Sequence, residues 1–214
     1  MIVTKFINKI LSSNSYIVHT NDERNVWVID PGDSDQLLSW INENNKTVEG
    51  ILLTHSHVDH IYGVNEICDE FQDLTIYASH FANEGMKSPK SNGSYYMEMS
   101  YVINHNIISF VKENSKIELF KDKTIAKVIS TPGHNNDCIS FSIDNCLFTG
   151  DALIPGEKVH TKSKKGDKLI AIESINKILY TFPRDTIIYP GHKEIGMLNL
   201  IDIPDLIINK KLIL

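Results

Sequence analysis

Thr54-His55-Ser56-His57-Val58-Asp59-His60 packs three imidazoles and a carboxylate into six residues. Neutral ring nitrogens and an anionic oxygen are the donor types that suit a borderline cation such as zinc. The run begins where residues 48–54, apolar and partly β-branched, come to an end, a stretch that reads as a buried strand. Continued as a strand, it would put His55, His57 and Asp59 on one face and His60 on the other. A loop leading into a helical turn fits better, because His55 and His57 can then address one ion while Asp59 and His60 address a second.

Working outward, the chain alternates strand-like and helix-like patterns. Upstream, residues 2–6, 16–18 and 26–29 are short β-rich runs, the last broken by Asp30-Pro31-Gly32. Leu37, Leu38, Trp40 and Ile41 give a helical apolar face, with Ser34 or Asp35 as the expected cap and Asn44-Asn45 as its end. Downstream, Ile61, Val64, Ile67 and Phe71 keep helical spacing, and residues 74–77 read as a strand. Residues 81–115 are less regular: 88–94 contain Pro89 and Gly93 and read as a loop, while 101–111 are apolar without a clean period. Strands follow at 116–120, 124–130, 138–143 and 146–149, with Asp144-Asn145 as a hairpin turn. An amphipathic helix is expected over 169–180, through Ile170, Ile172, Ile175, Ile178 and Leu179. A last strand covers 186–189, and the tail 195–214 is apolar enough to pack as a helix or cap. No fixed-period repeat is present. Grouped strands with intervening helices predict a layered α/β (α+β) fold, two sheets with helices outside.

Composition bounds the rest. A length of 214 residues suits one domain, 1–214, and 42% hydrophobic with 22% charged residues is ordinary for a globular chain. A formal net charge of -6 lacks the electrostatic footprint of a nucleic-acid binder. No run reaches the roughly 18 apolar residues of a membrane span. Lys5 and Lys9 interrupt the mildly apolar start, which lacks a small-residue cleavage site and is read as cytoplasmic. Cys68, Cys138 and Cys146 are odd in number and have no CxxC spacing, so buried free thiols are expected. Oligomeric state is left open.

The opening run resembles the HxHxDH motif of the metallo-β-lactamase superfamily, and later blocks resemble that family in the same order. Thr131-Pro132-Gly133-His134 is similar to the block carrying the third histidine, Phe148-Thr149-Gly150-Asp151 to that of the metal-bridging aspartate, and Tyr189-Pro190-Gly191-His192 to that of the last histidine. Asn14-Ser15-Tyr16 and Ile29-Asp30-Pro31-Gly32 resemble its opening strands, so the likeness spans nearly the whole chain. It implies a four-layer αββα sandwich of two mixed sheets with helices on the outer faces. It also implies a first metal on His55, His57 and His134, a second on Asp59, His60 and His192, and Asp151 between them. Each later candidate follows an apolar strand and a glycine-containing turn, where a backbone can approach an ion closely. His19, His80, His105 and His160 lack such context and are read as ordinary residues.

The same resemblance implies two divalent cations, zinc expected with iron or manganese also compatible, and a hydroxide between them as nucleophile toward a small-molecule carbonyl. Asp59 would ligate and orient that hydroxide. The segment Gly191-His192-Lys193-Glu194-Ile195-Gly196 is similar to the end of glyoxalase II-like thioester hydrolases. Two departures stand out. That subgroup commonly has threonine and glycine where this chain has Asn135 and Asp137, and it has a glycine-arginine pair where this chain reads Pro155-Gly156-Glu157-Lys158. Lys158, within a cationic run that includes Lys162, Lys164, Lys165 and Lys168, would then meet the anionic end of a thioester, with Tyr95 and Tyr96 at the mouth of the site. Alternatives of the same fold are a one-iron enzyme resembling persulfide dioxygenases, on His55, His134 and Asp151, and a lactonase. A metal-binding module without turnover is the third class.

Overall fold

The computed structural model describes residues 1–106 and 108–200. The expected tail 195–214 therefore lies largely outside the described residues. Six strands in chain order make the first sheet: β1 (Ile2–Ile7), β2 (Asn14–His19), β3 (Asn25–Ile29), β4 (Thr47–Leu52), β5 (Thr75–Ser79) and β6 (Ile108–Val111). Six more make the second: β7 (Lys116–Glu118), β8 (Ile125–Ser130), β9 (Ile139–Ile143), β10 (Cys146–Gly150), β11 (Ile187–Pro190) and β12 (Gly196–Met197). Both sheets are mixed: β3 to β6 run parallel after an antiparallel start, and β10 and β11 are the parallel pair of the second.

Burial on both faces explains why the strands read as apolar runs rather than as alternating patterns. Along β2 to β4, Ile17, Val26, Val28 and Ile51 join one core cluster, while Tyr16, Val18, Trp27, Ile29 and Leu52 join another. The first cluster continues into Leu37 and Ile41 of α1 (Ser34–Glu43), Val64 and Ile67 of α2 (Val64–Glu70) and Met86 of α3 (Ala82–Lys87). The second is shared with Val128, Phe141 and Phe148 of the opposite sheet. On the far side, Leu147 and Ile188 pack on Ile175 and Ile178 of α4 (Lys168–Thr181). The layers are thus helix, sheet, sheet, helix, as the αββα expectation has it.

Several local expectations shift for tertiary reasons. The cap of α1 is Asp33, not Ser34 or Asp35, and its carboxylate makes no capping bond. It accepts instead from Lys9 N (2.7 Å), Gln36 Nε2 (3.1 Å) and Tyr62 OH (2.7 Å). By contrast, Asp167 caps α4 through Leu169 N (2.8 Å) and Ile170 N (3.1 Å). The strand expected over 116–120 stops at Glu118, and the Leu119 carbonyl accepts from Trp27 Nε1 at 2.5 Å. Within 81–115 lie α3, a 3-10 turn at Ser94–Met97 and β6, none of which was expected. All three cysteines are free and buried. Among the described residues, no helix is long and apolar enough to cross a membrane.

Candidate metal centre

Strand polarity gathers the candidate ligands at one edge. In the second sheet β8, β10 and β11 run the same way, because β9 is antiparallel to both β8 and β10 and β11 is parallel to β10. His134, Asp151 and His192 therefore leave neighbouring carboxyl ends. From the first sheet β4 delivers His55, and a 3-10 turn at Val58–His60 carries Asp59 and His60. The loop-then-turn reading of this run thus holds. A backbone bond from Ile139 N to Thr54 O, 2.8 Å, ties the two sheets beside the site.

The rings converge. His134 Nε2 lies 2.9 Å from His57 Nδ1, and the His55 ring is centred 4.8 Å from His57 and 5.2 Å from His134. Asp151 Oδ2 is 3.4 Å from His134 Nε2 and 3.5 Å from His192 Nε2, while its Oδ1 is 3.6 Å from His60 Nε2. Asp59 Oδ2 is 3.3 Å from both His60 Nε2 and His192 Nε2. Two nitrogens on one tetrahedral zinc, at about 2.0–2.1 Å each, would stand about 3.3 Å apart. The donor atoms of His55, His57 and His134 fall within 4.8 Å of one another, as do those of Asp59, His60 and His192. All seven expected ligands are brought together.

Whether a cation fits can be tested on unsatisfied atoms. His55 Nε2, His60 Nε2 and Asp151 Oδ1 are buried without a hydrogen-bond partner, which is costly unless something else meets them. The far nitrogens, in contrast, are engaged: His55 Nδ1 with Thr54 Oγ1 (3.1 Å), His60 Nδ1 with Asp30 Oδ2 (3.2 Å) and His134 Nδ1 with the His160 carbonyl (2.8 Å). Such outer contacts fix ring orientation and aim the remaining nitrogen at an ion. Gly191 completes the fit, since a Cβ there would run into Asp151 Oδ1 and the His60 ring.

Charge divides the cluster. Burial pushes His55 well below its ordinary value and His57 down to about 4, with neighbouring imidazoles adding to the effect. Burial would also lower His60 and His192, but Asp59 and Asp151 hold His60 well above its ordinary value and His192 up at about 9. Burial alone would raise both carboxyls; the surrounding imidazoles outweigh it and keep Asp59 and Asp151 ionised far below the usual range.

Two contributors were not foreseen. Asp30, expected only as a turn former, sits at the end of β3 with φ +50° and accepts from Thr54 N (2.7 Å) and Thr54 Oγ1 (2.5 Å) as well as facing His60. It thereby supports His55 through Thr54 and His60 directly. His160 acts through its carbonyl, which no side-chain pattern signals. Tyr95 and Tyr96 are 56% and 76% exposed and meet edge to face with ring centroids 5.5 Å apart, and Lys90 lies over Tyr95. They are rooted near the site, because Asn92 O accepts from Val58 N at 2.9 Å. Lys158 is exposed, and Lys165 of the same run pairs with Glu84 at 3.0 Å.

Known proteins resemble this chain in sequence and fold. A probable metallo-hydrolase of Streptococcus pyogenes serotype M6 is 33% identical over 90% of this chain and 84% of its own length. The hydroxyacylglutathione hydrolase of Hydrogenovibrio crunogenus is 27% identical over 80% of this chain, which spans only 55% of that protein. The crystal structure of the BLEG-1 B3 metallo-beta-lactamase superposes with a TM-score of 0.86 at 25% identity, covering 93% of this chain and 95% of the other. The family model described as the metallo-beta-lactamase superfamily matches residues 9–192, a span that closes on the last of the converging histidines, and the chain belongs to that superfamily.

Proposed function

We propose that the chain is a dinuclear metal-dependent hydrolase, zinc-loaded, that cleaves a thioester or a closely related ester. The convergence of seven donor side chains, with buried nitrogen and oxygen atoms left unpaired toward a common space, carries this reading. Two divalent cations, one on His55, His57 and His134 and one on Asp59, His60 and His192 with Asp151 between, would supply an activated water and a Lewis acid. The remaining tasks fall to the chain. Asp59, held ionised, accepts a hydrogen bond at a carboxylate oxygen and so orients the attacking water toward the carbonyl. Asp30 and the His160 carbonyl keep His60 and His134 in the tautomer that leaves Nε2 free. Tyr95 and Tyr96 offer exposed aromatic faces to an acyl group, and Lys158 offers a cation to an anionic thiol portion.

A thioester is favoured over other carbonyls by the similarity to hydroxyacylglutathione hydrolases, which recurs at 26–28% identity in proteins from four organisms. Metal quantification of freshly purified protein, followed by a panel of thioesters and lactones with that metal, tests the reading. Two zinc ions per chain and preferential thioester turnover are expected. Lactone cleavage without thioester cleavage would reassign the substrate, and one iron per chain with oxygen uptake would replace hydrolysis by the dioxygenase alternative.

A further inference from the structure

Ser56 stands between two candidate ligands, and both of its polar hydrogens go to one atom. Its backbone N–H and its hydroxyl donate to Asp137 Oδ2, at 3.1 and 2.5 Å. Asp137 lies between β8 and β9, three residues past His134, at a position where the glyoxalase II-like pattern has glycine. It is 2% exposed, and its Oδ1 is buried without a partner. A carboxylate is among the costliest groups to bury without a cation, so its presence here calls for a role. On the opposite side of Ser56, Gly85 of α3 approaches so closely that a Cβ would strike Ser56 Oγ. The hydroxyl is therefore boxed between a helix and a carboxylate. Displacing Ser56 would move His55 and His57 together, one on each side of it.

We propose that Asp137 is a positioning residue for the trio His55, His57 and His134. By gripping Ser56 it locks the segment that carries two of these histidines to the segment that carries the third, and so sets where the first cation sits. The inference rests on the metal-centre reading above, and the following experiment separates the two. In a His192→Ala chain, which retains the trio while the second site is disabled, cobalt(II) affinity is measured by chelator competition and coordination by visible absorption. Adding Asp137→Ala is expected to weaken cobalt binding about 10- to 100-fold, the usual cost of losing an outer-shell partner, and to alter the absorption bands. Asp137→Asn, whose amide oxygen still accepts both bonds, is expected to restore affinity to within about threefold. Unchanged affinity and spectrum in a folded Asp137→Ala chain would overturn the proposal, as would an asparagine variant no better than alanine. Should Asp137→Ala fail to fold, Ser56→Ala decides: a weaker, spectrally altered site supports the clamp, and a parental one overturns it. If the His192→Ala chain itself takes up no cobalt on nitrogen ligands, the metal-centre reading falls first.

Discussion

The trio His55, His57 and His134 and the trio Asp59, His60 and His192 face the same carboxylate, Asp151, yet they differ in charge. The first contains no acid, and burial keeps His55 and His57 unprotonated, with His57 down at about 4. The second contains Asp59, and with it His60 and His192 hold protons, His192 up to about 9. Without metal, the first half holds a contact between two imidazoles, His57 and His134, whereas the second sets imidazoles against carboxylates. A cation entering the second half must displace protons that one entering the first need not, because ligands bind metal only when deprotonated. Asp59 and the side of Asp151 that faces His60 and His192 together produce the contrast.

The largest effect is expected on removing the shared group. Asp151→Ala strips His60 of one of its three neighbouring carboxylates and His192 of one of its two, and leaves His134 without its contact to the second half. Turnover should fall more than about 100-fold, beyond the range typical of outer-shell changes, and metal content should drop to one ion per chain. Full activity with a single ion would falsify the dinuclear scheme. Next comes Asp30→Asn, which weakens support for His55 through Thr54 and for His60 directly. Metal affinity should decline about 10- to 100-fold in both halves; a loss confined to one half would show that Asp30 does not bridge the two.

Smaller effects follow from acidity. Below about 9, where His192 holds its proton, affinity at the second site should fall by about tenfold per pH unit for each displaced proton, whereas His57, lowered to about 4, adds no such loss at the first site above that range. Equilibrium dialysis from pH 9 to pH 5 reads this directly: simultaneous loss of both ions would erase the distinction. For the metal-free fold the signs are opposite on the two sides. His192, raised, contributes stability that is full below its ordinary value of about 6.5 and lost as pH rises through about 9. His57, lowered, is protonated in the unfolded chain before the folded one, so stability declines as pH falls from about 6.5 toward 4. Urea midpoints should therefore peak near neutrality, and His57→Gln should flatten only the acid limb. A His57→Gln chain with an unchanged acid limb would mean that another group governs it.

Much of this centre was legible before any coordinates. The order of His55, His57, Asp59, His60, His134, Asp151 and His192 along the chain carried the family likeness and named the candidate ligands. Strands buried on two faces, such as β10 and residues 50–52 of β4, announce themselves as apolar runs because no residue in them meets water. Residues 81–115 were opaque for the converse reason. Their order comes from contacts made by distant chain segments: β6 pairs with β5, and Asn65 Nδ2 donates to Val102 O (2.9 Å) while its Oδ1 accepts from Asn104 N (3.0 Å). The start of α1 fits the same pattern: Ser34 and Asp35 look like caps by residue type, but the cap is Asp33, whose oxygens accept from Lys9 N and Tyr62 OH rather than from the helix.

The sequence by itself determined which atoms are available to hold cations and in what order strands present them, because donor type and apolar periodicity are local properties. Only the tertiary structure decided that Asp30 meets both Thr54 and His60, that Asp137 accepts both polar hydrogens of Ser56, and that His55 and His57 are pushed down while His60 and His192 are pushed up. Each of these depends on distance and burial between residues far apart in the chain, and Coulombic and hydrogen-bond energies have no value until folding sets those distances.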